Sequence, residues 1–193
     1  MDRILFGDNQ FYGVNHLSDE KGKQTAIKFG MPETVLEFLA YGIDEGINTF
    51  VCSTRPQIIP LMNLIRNDPR FNNYKVYPTI PDVHKYNNAL SEFGVMGTIK
   101  NILPNNIFSF AAKGGLAFAT KDILSLLEII IDLEMKIFKN INTEVVFIQN
   151  NLTDMLLGLG MKDVFITFAN FIRKKYSAEP GFMTIICPVW SIF

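Results

Sequence analysis

Histidine and cysteine are nearly absent from this chain, which carries two of each and a single tryptophan. The cysteines, Cys52 and Cys187, both fall in predicted buried strands. They form no disulfide framework, and free thiols in such places behave as small buried hydrophobes. His16 and His84 share no tight spacing motif, so no metal-ligand set is predicted. Charge is scarce as well: 19% of residues are charged and the formal net charge is −1. That balance gives no electrostatic footprint for nucleic acid or an anionic membrane surface. The one basic run, Arg173-Lys174-Lys175, falls where a helix should end, and cations there complement the helix dipole. No run of about 18 apolar residues is free of charges and breakers, so no membrane span is expected. The amino terminus reads Met1-Asp2-Arg3-Ile4-Leu5-Phe6-Gly7-Asp8 and lacks the apolar region of a signal peptide, which makes the cytoplasm the expected compartment.

What the chain has in quantity is apolar surface. Apolar residues make up 48% of the 193, phenylalanine alone contributes 17, and the mean hydropathy is +0.17. A chain of this length is read as a single domain, residues 1–193. It can bury roughly 70% of the surface that its unfolded form exposes.

Strand and helix patterns alternate along it. Residues 3–7 read as a strand that runs into the polar tip Asp8-Asn9-Gln10, followed by a long polar loop. A helix is predicted over residues 32–45, and Gly46 leads into a strand over 47–52. Residues 57–66 carry a broad apolar face of helical period behind Pro56, with Pro60 near the start. Residues 67–73 form a turn and 75–80 a third strand, which Pro81 breaks; Asp82 is placed to cap a helix over 83–103. The stretch 104–120 reads as a loop or as a short strand near 107–110. A strong helix then runs from about 120 to 139. A strand over 144–149 leads to a short helix near 153–159 and a longer one over 161–176. A final strand is predicted over 182–187.

This alternation predicts an α/β fold, a parallel sheet with helical crossovers. The first loop, Gly7-Asp8-Asn9-Gln10-Phe11-Tyr12-Gly13, fails the glycine pattern of a dinucleotide-binding sheet. Its length suits the catalytic face of a (β/α)8 TIM barrel, the architecture expected here, with about five to six of the eight units present. The apolar carboxyl terminus reads as the cut end of a longer barrel, or as an edge that self-association into a homo-oligomer would cover.

At Gly46-Ile47-Asn48-Thr49-Phe50 the chain resembles the aldo-keto reductases, whose first strand, helix and Gly-Ile-Asn-x-Phe strand follow in the same order. The resemblance covers about the first fifty residues. It implies a barrel and, from the family, NADPH-dependent oxidoreductase chemistry. In that family the strand continues into a catalytic Asp with a Tyr nearby. Here Val51 stands at the Asp position, Cys52-Ser53-Thr54 follow, and no Tyr is near in sequence, so the catalytic pair is not matched.

Parallel folds of this kind place their chemistry at the carboxyl ends of the strands. The polar residues there are Asp8, Asn9 and Gln10 after the first strand, Ser53, Thr54 and Arg55 after the second, Asp82, His84 and Lys85 after the third, and Gln149, Asn150 and Asn151 after a later one. Asp8, His16, Asp82 and His84 are the candidate proton-moving groups. Asn9, Gln10, Arg55, Lys85 and Asn150 are the candidate substrate contacts, with Arg55 the natural holder of an anion. The expectation is a protein that binds or transforms a small polar or anionic metabolite, with no cofactor specified. The alternative is a scaffold or interaction protein with no activity of its own.

Overall fold

The computed structural model describes residues 2–15, 17–82 and 123–185. The predicted helix over 83–103, the stretch 104–120, His16, His84, Lys85 and Cys187 lie outside them. The described strands are β1 (Phe6–Gly7), β2 (Thr49–Ser53), β3 (Lys75–Ile80), β4 (Val145–Ile148) and β5 (Glu179–Phe182). They form one parallel five-stranded sheet whose spatial order follows sequence order. The helices between them are α1 (Asp19–Lys28), α2 (Pro32–Asp44), α3 (Ile58–Asn67), α4 (Ile123–Met135), α5 (Asn150–Gly158) and α6 (Lys162–Phe171). The α/β class is therefore observed. Among the described residues, no helix is long and apolar enough to cross a membrane.

The chain divides into two compact units, residues 1–79 with 135–147 and residues 80–134 with 148–193. In the first unit, α2 begins with Pro32 in its first turn, where the missing N–H has no intrahelical partner to lose. It buries Val35, Leu36, Leu39 and Ala40 at helical spacing. Gly46, at φ +82°, then turns the chain into β2, a conformation a side chain would strain. All five residues of β2 are buried. The register pairs Thr49 with Lys75 and Ser53 with Thr79. Because side chains alternate across a strand, Phe50, Cys52, Val76 and Pro78 share one face and Thr49, Ser53, Lys75 and Tyr77 the other. The second face is polar: Lys75 reaches Glu144 at 3.0 Å, and the Tyr77 hydroxyl donates to Glu144 at 3.1 Å. Pro60 is the third residue of α3 and lies in its first turn, so it leaves the helix unbroken.

Phenylalanine holds this unit together. Phe11 is 1% exposed and meets Phe29, Phe38 and Phe50 at ring-centroid distances of 4.9–6.0 Å. A fully buried ring such as Phe11 contributes roughly 2 kcal/mol by leaving water. Phe11 thereby pins a 3-10 turn, Asn9–Tyr12, directly after β1.

Two expectations are corrected here. The first loop contains a helix, α1, capped by Ser18, whose hydroxyl accepts from the Lys21 N–H at 3.3 Å. Asp19 and Glu20 in its first turn and Lys28 in its last complement the dipole. The first strand is also shorter than predicted, only Phe6–Gly7.

In the second unit, Asp132 of α4 accepts from the Tyr176 hydroxyl at 2.6 Å and pairs with Lys175. Those partners lie in a π-helical segment, Ile172–Tyr176, that continues α6. The last strand was predicted over 182–187, but β5 is Glu179–Phe182, ahead of the apolar run. It includes Pro180, which has no N–H to donate and suits a strand at the edge of the sheet order. An apolar cavity of about 410 Å³, lined by Leu156, Met161, Phe165 and Phe182 among others, lies in this unit.

Candidate active site

The residues that converge are Asp8 at the carboxyl end of β1 and Ser53 and Arg55 at the carboxyl end of β2, all in the first unit. Phe6 pairs with Phe50 and Gly7 with Val51, which brings the end of β1 alongside β2. Asp8 follows directly and turns its carboxylate onto the end of the neighbouring strand. Its Oδ2 accepts the Ser53 N–H at 3.0 Å and the Ser53 hydroxyl at 2.9 Å. Arg55 Nε donates to Ser53 Oγ at 2.7 Å and lies 3.3 Å from Asp8 Oδ2. Tyr12, at the end of the 3-10 turn, offers its ring to the guanidinium, whose carbon is 5.0 Å from the ring centroid. That is a cation–π distance.

Burial makes this cluster more than a surface ion pair. The Asp8 side chain is 11% exposed and that of Arg55 22%. Next to them, the Thr54 hydroxyl is sealed from solvent without a hydrogen-bond partner among the described residues. Burial pushes the Tyr12 hydroxyl well above its ordinary value, Cys52 and Asp8 push it further, and Arg55 opposes them. The Cys52 thiol is also raised, by burial first and then by Asp8, with Arg55 again opposing. Both groups are protonated at neutral pH, so Cys52 is no thiolate nucleophile.

Not all the predicted residues join this cluster. Asn9 and Gln10 are exposed in the 3-10 turn, and their side chains make no hydrogen bond to a described residue. Asp82, in the second unit, is buried and engaged in an interaction of its own. Asn150 begins α5, where its Oδ1 accepts the Asn151 N–H at 2.8 Å. His16, His84 and Lys85 lie outside the described residues. Among the described residues no three His, Cys, Asp or Glu side chains gather as a metal-holding group.

Sequence reasoning missed Tyr12 and did not single out Ser53. Tyr12 sits two residues beyond the polar tip, and the apolar Phe11 beside it, an aromatic in an otherwise polar loop, is the sign in the sequence that this loop folds back. A second, larger concavity of about 840 Å³ opens where β2 and β3 begin, lined by Asp2, Arg3, Asn48, Arg70 and Lys75 among others. Most of its charges are already paired: Arg70 with Glu37 and Asp68, and Lys75 with Asp2 and Glu144. The opposite strand ends, where Asp8 and Arg55 stand, are where parallel sheets bind ligands. No protein-family profile, curated protein or solved structure matches this chain.

Proposed function

We propose that this chain is a (β/α) barrel-type protein that binds a small anionic metabolite at the carboxyl ends of β1 and β2, with Arg55 as the anion-holding group. The observation that carries this reading is the way Arg55 is held. Its Nε is committed to Ser53 Oγ and faces Asp8, and its plane rests by Tyr12. Its two Nη groups have no partner among the described residues. A guanidinium fixed through Nε presents the remaining N–H groups as a fork for a carboxylate or phosphate. Supporting the barrel reading, the order of the described strands follows sequence order without the reversal found in doubly wound sheets.

Calorimetric titration with small carboxylates and with phosphate monoesters tests the proposal. The protein should bind at least one class, Arg55→Gln should lose binding, and Arg55→Lys should retain a weakened remnant, because an ammonium keeps the charge without the fork. Failure of every anion to bind would remove the reading. The expectation of a scaffold without activity would then stand in its place.

A further inference from the structure

Among the described residues, Asp8 engages only one of its two carboxylate oxygens. Oδ2 accepts from the Ser53 N–H and hydroxyl and faces Arg55 Nε. Oδ1 has no partner among the described residues, and it is not one of the polar atoms sealed from solvent. An acceptor-only group, held by two donors and faced by the guanidinium on one side, therefore keeps the lone pairs of its other oxygen for a ligand near Arg55.

We infer that the ligand carries a hydrogen-bond donor on the carbon next to its anionic group, as amino acids and 2-hydroxy acids do, and that Asp8 Oδ1 reads that donor. The inference rests on the anion-binding role of Arg55 proposed above and deepens it. A ligand with only an anionic group would leave Asp8 Oδ1 without a donor and set a second negative charge beside a carboxylate that already shares Arg55. An ammonium answers that charge, and a hydroxyl answers the lone pair. Charge complementarity ranks the ammonium first, since the site offers one positive and one negative group side by side. An ether oxygen in the same place would set lone pair against lone pair and be rejected.

Four probes on one three-carbon skeleton separate these outcomes: alanine, lactate, propionate and 2-methoxypropionate, titrated calorimetrically into the intact protein at neutral pH. Alanine and lactate should bind at least about tenfold more tightly than propionate, the weight of one charge-assisted hydrogen bond. The methoxy acid should bind most weakly, and the alanine-to-lactate ratio distinguishes ammonium from hydroxyl. Asp8→Asn, which keeps the side-chain shape, should level alanine with propionate. Equal binding of all four probes to the unaltered protein would overturn this inference and leave the anion site standing. No binding by any of them, or by phosphate esters, would overturn both.

Discussion

The backbone N–H and the hydroxyl of Ser53 both donate to one oxygen of Asp8, at 3.0 and 2.9 Å, across a sequence separation of 45 residues. Asp8 is thereby a tie between the ends of two strands as well as a candidate ligand contact. Asp8→Ala leaves the Ser53 donors without their acceptor and Arg55 without its counter-charge, and should destabilise the protein by about 3 kcal/mol, the cost of breaking a buried pair. Ser53→Ala removes one hydroxyl and should cost about 1 kcal/mol. Denaturant melts of the Asp8→Ala, Arg55→Ala and double variants should give a coupling energy of about 1 kcal/mol or more. Additive losses would show that the two side chains do not act as a unit.

Gly22 of α1 sets where Tyr12 stands. A Cβ added there would lie 2.4 Å from the carbonyl oxygen of Gly13, which ends the 3-10 turn carrying Tyr12. Backbone cannot swing aside as a side chain would. Gly22→Ala should therefore cost about 2 kcal/mol through this clash, more than the helix propensity it gains. It should also weaken anion binding by displacing Tyr12 from Arg55. Gly30→Ala is the control, since an added Cβ there meets only atoms at 3.4 Å, and its melting temperature should stay close to the parent's. Thermal melts and titration of both variants check the pair.

The elements that were legible in the sequence are those whose apolar period is strong. β3 runs over the predicted 75–80, and α2 and α3 lie within a residue or two of their predicted ends. α1 was not legible, because Asp19–Lys28 carries only Ala26 and Ile27 as apolar residues and leaves no face to recognise. Its sign was chemical instead: a capping serine, acids in the first turn and a lysine in the last. β5 lies ahead of its predicted position because Met183-Thr184-Ile185 has strand-forming character, whereas Pro180 and Gly181 disfavour a strand except at a sheet edge. Asp8 and Arg55 were legible as polar residues at strand ends. Their joining through Ser53, and the approach of Tyr12, depend on which strand ends lie side by side, and local pattern does not carry that.

Alkaline pH should destabilise the protein through its buried and half-buried phenols. Burial raises Tyr77 to about 12, with the hydrogen bond to Glu144 adding to it. Tyr12, Tyr74 and Tyr176 are raised further, again mainly by burial. For a group whose folded value is raised, the stabilisation is complete below the unfolded value, here 10.0, and is lost as pH rises toward the folded one. Stability should accordingly be flat up to about pH 10 and fall above it. Denaturant melts across that range, followed by tyrosinate absorbance, should show ionisation of these phenols accompanying unfolding. Full ionisation near pH 10 in a protein that stays folded would contradict their burial.

Cys52 tests the same interior from another side. It is fully buried in β2, and its thiol is raised well above the ordinary value, so the reactive thiolate is scarce and out of reach of solvent. In a Cys187→Ser background, a thiol reagent should react with Cys52 only when β2 opens, at a rate that follows the opening equilibrium rather than the reagent's solution reactivity. Asp8→Ala loosens the end of that strand and should speed the labelling. Gly30→Ala, whose added Cβ meets only Ala26 and Ile27, should leave the rate unchanged. Fast labelling in the unaltered Cys52 environment would mean that β2 is accessible, and the tie between Asp8 and Ser53 would then not be what closes that end of the sheet.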